Sequence, residues 1–120
     1  MNKSSNQDDA LIIDGDIIKY KINKIANDSE LEHLIDIGEQ FVDENLVASV
    51  LLDFDKVNKI SLKMRTRGIQ FLKSSRIKKV AIFGCSQFVR TTVVFLINFV
   101  NKKNIRVFDN EKDSLAWLNS

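Results

Sequence analysis

The chain contains no proline and only four glycines, Gly15, Gly38, Gly68 and Gly84. Collagen-like, proline-rich and glycine–serine linker architectures are thereby excluded. A single cysteine, Cys85, cannot close an internal disulfide, which fits a reducing compartment, so a cytoplasmic location is expected. The one histidine, His33, and that one cysteine cannot make a cluster of soft metal ligands, so neither a metal site nor a cofactor is expected. No apolar run approaches the ~18 residues of a membrane span, and no transmembrane segment is expected. Met1 to Ala10 is polar and lacks an apolar stretch, so it does not read as a secretory signal. What is present is ordinary for a globular chain: 120 residues, 44% hydrophobic and 28% charged. That is enough for one domain with its own core, expected over residues 10–120 behind a flexible polar tail at 1–9.

Acidic residues are scarce in the second half. Residues 1–55 carry four lysines against nine Asp and four Glu, whereas residues 56–120 carry nine Lys and five Arg against Asp109, Glu111 and Asp113. Between Lys56 and Phe108 there is no acidic residue at all. Such segregation marks either an anionic partner or, more simply, acidic and basic elements that neighbour each other in the fold or coat separate solvated faces. With a net charge of only +2 the second reading is favoured. Nucleic acid is disfavoured as a partner, because Tyr20 is the only tyrosine and no RNP-like or helix-turn-helix pattern occurs.

Periodicity sets out the elements. Leu11–Ile13, Asp14–Gly15 and Asp16–Ile22 read as a hairpin around a type I′ turn, with Ile18, Tyr20 and Ile22 on one face. A helix of about 29–44 follows, acidic outside its Leu31, Leu34, Ile35, Phe41 and Val42 positions. Ser29/Glu32 and Asn27/Glu30 both stand at capping-box spacing, so its start is open. Val47–Phe54 and Arg76–Phe83 read as buried strands, with a helix of about 62–73 between them capped by Ser61. Ser86 can cap a helix of about 87–102 whose apolar positions span roughly 200°, wider than a surface helix needs. A short strand over 104–108 and a last helix carrying Leu115, Trp117 and Leu118 complete the order. After the hairpin, strand and helix alternate, which predicts an α/β fold with right-handed crossovers and a mostly parallel sheet.

Three stretches carry a resemblance: VLLDFDKVNKIS over 50–61, KVAIFGCS over 79–86 leading to Arg90, and Arg106-Val107-Phe108 leading to Leu115-Ala116-Trp117-Leu118. In this order the chain resembles the SpoIIAA-like (STAS/SEC14 domain) bacterial proteins over about residues 10–119. The resemblance implies a compact α/β regulatory or protein-interaction module with no catalytic activity. Anti-sigma-factor antagonists of this kind carry a phosphorylatable serine after the LLD-type strand. Here that stretch is Ser61-Leu62-Lys63-Met64, which lacks an evident phosphoacceptor motif. The SEC14 side of the likeness implies the alternative, a binder of a small anionic or lipid-like ligand.

Individual residues support this non-enzymatic expectation. Asp53 and Asp55 have no histidine or cysteine near in sequence, and Cys85 has no evident base. Arg65 falls within the apolar arc of its helix, where a guanidinium needs a carboxylate, and Asp53 or Asp55 are the natural partners. Gly84, Ser86 and Arg90 form a strand-to-helix turn that, with Ser61 and Arg65, is a candidate interaction or anion site. Val94 and Ile97 are candidate interface residues on the broad third helix, for a protein partner or a homodimer. The last helix is expected to pack beside that third helix, with Trp117 as its core anchor.

Overall fold

The computed structural model describes residues 10–45, 48–101 and 103–120. The expected tail at 1–9 and Val47 and Lys102, at the edges of two expected elements, lie outside the described residues. Strands β1 (Leu11–Asp14) and β2 (Ile17–Lys21) form the hairpin, and a 3-10 turn over Ile22–Lys24 leads into helix α1 (Asp28–Asn45). Then come β3 (Ala48–Asp53), α2 (Leu62–Leu72), β4 (Ile77–Phe83), α3 (Gln87–Val100), β5 (Ile105–Phe108) and α4 (Glu111–Leu118). The sheet order is β1-β2-β3-β4-β5, antiparallel in the hairpin and parallel from β2 onward. The expected α/β class and mostly parallel sheet are therefore correct.

Local chemistry explains the boundaries. Asn27 Oδ1 accepts from the Glu30 N–H, while Glu30 Oε1 accepts from the Ala26 N–H, so the open start of α1 is settled one residue upstream of Ser29. The Ser61 and Ser86 hydroxyls accept from the Met64 and Val89 N–H groups and cap α2 and α3, and Asn110 does the same for α4 through Asp113. Asn101 ends α3 in the left-handed region at φ 59°. The hairpin turn differs from expectation. Its loop residues are Gly15 and Asp16, since Asp14 pairs with Ile17, and only Gly15 has a positive φ. A type I′ turn needs positive φ at both central residues, so this turn is not one.

Strand alternation divides the core between the two faces of the sheet. Ile18, Tyr20, Val50, Val80 and Ile82 point into the larger core with α1, α2 and α3, while Leu51, Ala81 and Phe83 meet Leu118 of α4 on the other face. The last helix thus does not lie beside α3. It crosses to the opposite face because β3 and β4 are apolar on both sides and need cover there. Trp117 does help anchor it: the ring packs 5.6 Å from Phe108, centroid to centroid, and Lys79 donates to the Trp117 carbonyl at 2.7 Å. That ammonium also meets the negative end of the helix. The outer side of α3 gains no cover from α4.

A candidate ligand cavity beneath α2 and α3

Helices α2 and α3 lie over the same sheet face but touch only sparingly. Between them is an apolar cavity of about 100 Å³. Its floor comes from the sheet, through Leu52, Phe54, Ile82 and Ile105; its walls include Leu31 and Ile35 of α1, Met64 and Ile69 of α2, and Leu96, Ile97 and Val100 of α3. Gly68 helps create the space, because a Cβ built there would meet nothing within 4 Å. Gly38 has the opposite role. A Cβ on it would overlap the Tyr20 hydroxyl, which donates to the Leu34 carbonyl at 2.9 Å, so glycine lets α1 settle onto β2. Burial, reinforced by the Glu39 carboxylate, pushes the Tyr20 phenol well above its ordinary pKa, so this wall of the cavity is neutral.

Among the described residues that line the cavity, Arg65 is the only charged one. It is also exposed, so the cavity reaches the surface beside it. The expected ion pair with Asp53 or Asp55 is not formed, and Arg65 has no ion-pair partner among the described residues. Asp53 Oδ1 instead accepts from the Asp55 N–H at 2.8 Å, turning the chain away from β3. The structural arginine is Arg67, two residues on and facing α1. It binds Glu32, Asp36 (3.2 Å) and Glu39 (3.0 Å), and Lys63 adds a contact to Glu32 at 3.5 Å. Hydrogen bonds to Glu39 and Glu32 raise the Arg67 pKa further, and the guanidinium holds the Glu32 carboxyl below its usual range. Acidic and basic elements are therefore neighbours here, one of the two arrangements that the charge segregation allows without an anionic partner.

The other candidate residues each have a local role of their own. Ser61 caps α2 and donates to Asp28 Oδ1 at 3.2 Å. Gly84 follows β4 with φ +82°, and its missing Cβ would stand 2.8 Å from the Asp55 backbone N, so glycine is required by both conformation and close approach. Ser86 is occupied as the α3 cap, and Arg90 pairs with Asp109 at 3.3 Å. Cys85 is half-buried, and burial raises its thiol pKa. Val94 is 41% exposed, whereas Ile97 turns toward the cavity. The most exposed apolar groups on α3 are Phe88 at 75%, Phe95 at 69% and Phe99 at 68%. Their helical spacing was visible, but which part of the broad apolar arc the sheet would cover was not.

No helix among the described residues is long and apolar enough to cross a membrane. No curated protein and no solved structure matches the chain. The SpoIIAA-like family model matches residues 17–119, from β2 to the residue after α4. With the mostly parallel sheet and its covering helices in the same span, the chain belongs to the SpoIIAA-like family.

Proposed function

We propose that this chain is a non-catalytic regulatory module whose input is a small apolar ligand with an anionic head, bound between α2 and α3. The observation that carries the reading is the apolar cavity with Arg65 at its rim. Apolar walls favour apolar guests; an enclosed engineered void of about 150 Å³ takes up benzene. A cavity of about 100 Å³ therefore suits a ring or a short alkyl end, with a carboxylate left at the surface against the guanidinium. Membership of a generally non-catalytic family supports the absence of chemistry. The engagement of the Ser61 hydroxyl as a helix cap supports a module without a phosphoswitch at that position. The regulatory output rests on position: a guest between two sparsely touching helices alters their spacing, and so shifts the conformation that the module presents.

Calorimetric titration with straight-chain carboxylates and the matching alcohols tests this reading. Octanoate should bind with a dissociation constant of about 1 mM or below, tightening about fourfold for each methylene that enters the cavity. Arg65→Gln should weaken carboxylates about three- to tenfold and leave alcohols unchanged. Gly68→Leu should abolish both. Chain-length-independent affinity, or binding untouched by Gly68→Leu, would overturn it.

A further inference from the structure

The open edge of β5 combines unused main chain with unused positive charge. β5 is last in the strand order, and among the described residues no strand pairs with its outer side. The Val80 N–H donates to the Asn104 carbonyl at 2.8 Å, while Val80 stands in register with Ile105. In a parallel ladder this pattern turns the backbone groups of Arg106 and Phe108 to β4 and those of Ile105 and Val107 to the open edge. The Ile105 side chain is buried in the larger core and Val107 packs against it, so the edge offers backbone rather than apolar side chains. Arg106 points to the opposite sheet face and is exposed, its guanidinium 5.2 Å from the centroid of the Trp117 ring. Stacking on the indole orients the guanidinium and leaves its N–H fork for a carboxylate. Among the described residues neither Arg106 nor exposed Lys103, just before the strand, has an ion-pair partner. Asp109, the acidic residue nearest to Arg106 in sequence, is engaged by Arg90 at 3.3 Å.

We propose that the β5 edge takes up an extended acidic segment of a partner protein as an added antiparallel strand. The segment's main chain pairs with Ile105 and Val107, and carboxylates on alternate residues meet Arg106. The free backbone groups require an extended occupant, and charge complementarity makes it acidic. Residues opposite each other in an antiparallel pair share a sheet face, so only every second side chain of the segment faces Arg106. A charged side chain on an open edge also rejects basic strands, which gives the edge selectivity. A second copy of the chain is disfavoured. The two-fold register in which Ile105 and Val107 exchange hydrogen bonds sets Arg106 directly against Arg106, and like charges in that position repel. The interaction goes beyond ligand uptake and does not require a filled cavity.

The test is an NMR titration of the full chain with a blocked hexapeptide that alternates glutamate and valine. Its controls are a peptide of the same composition with all glutamates before all valines, and one that alternates lysine and valine. At saturation the alternating acidic peptide should slow exchange of the Val107 amide at least about tenfold, while the Phe108 amide, already in the ladder, changes little. Methylating the peptide's valine nitrogens, which face β5 in an antiparallel pair, should abolish binding. Methylating its glutamate nitrogens, which face away, should leave binding intact. Arg106→Gln should weaken the acidic peptide about two- to fivefold, and Arg106→Glu should transfer the preference to the lysine peptide. Both variants should bind octanoate as wild type does, which shows that they are folded and separates this proposal from the cavity. The proposal is overturned by unchanged Val107 exchange, by equal binding of the two acidic peptides, or by equal or reversed effects of the two methylations. It is equally overturned if copies of the wild-type chain close the β5 edge on one another and exclude the peptide.

Discussion

A methyl group added at Gly38 would overlap the Tyr20 hydroxyl and stand 3.1 Å from the Phe71 ring, whereas one added at Gly68 meets open space. Both glycines are interior helix positions, where alanine is intrinsically better by about 1 kcal/mol. Packing must therefore decide the sign. Gly38→Ala should destabilise by about 1–3 kcal/mol through overpacking of α1 on β2. Gly68→Ala should stabilise by up to about 1 kcal/mol. Urea denaturation of the two variants checks both, and equal shifts would contradict the assignment of space. None of this was legible at the residue scale, because the two glycines look alike in sequence. Arg65 and Arg67 pose the same difficulty. A helical wheel puts Arg65 in the apolar arc, but only the position of α1 beside α2 decides which arginine finds carboxylates.

The α1–α2 pair is held partly by charge. Arg67 gathers Glu32, Asp36 and Glu39 from successive turns of α1. Glu32, held below its ordinary value of 4.5 mainly by its hydrogen bond to Arg67, binds fewer protons folded than unfolded as the pH falls through that value. Its contribution is therefore fully present above about pH 4.5 and is lost progressively below it. Arg67→Met should flatten this acid limb in thermal melts between pH 5 and 3, and lower the midpoint at pH 7 by roughly 5 °C. An acid limb identical to that of wild type would show that the carboxylates act elsewhere. At this scale the sequence was informative. Serine caps at Ser61 and Ser86, the acidic face of α1 and the alternation of strand and helix all predicted elements that are present. The loop of the hairpin was misjudged because Asp14-Gly15 fits a type I′ turn in isolation, and the strand register shifts the loop by one residue.

In the molecule as a whole, the sheet has helices on both faces, but unequally. Among the described residues, helix α4 is the one helix over Leu51, Ala81 and Phe83, and three helices share the other face. The breadth of the apolar arc on α3 signalled a helix with more to cover than a single sheet face. The sequence could not say that the surplus divides into a cavity wall at Leu96 and Ile97 and an exposed ridge at Phe88, Phe95 and Phe99. That division depends on α4 crossing the sheet and on α2 standing off from α3, both consequences of packing between distant segments. The family resemblance named the scaffold, and the residue-level chemistry of the cavity supplies the reading of its input. The most direct measurement is an isotope-filtered NOE spectrum of the protein with carbon-13-labelled octanoate. The account predicts contacts from the ligand's terminal methyl to the methyl groups of Ile69, Leu96 and Ile97, with the carboxylate end near the Arg65 side chain. Contacts confined to the exposed phenylalanines, or to the α4 face, would contradict it.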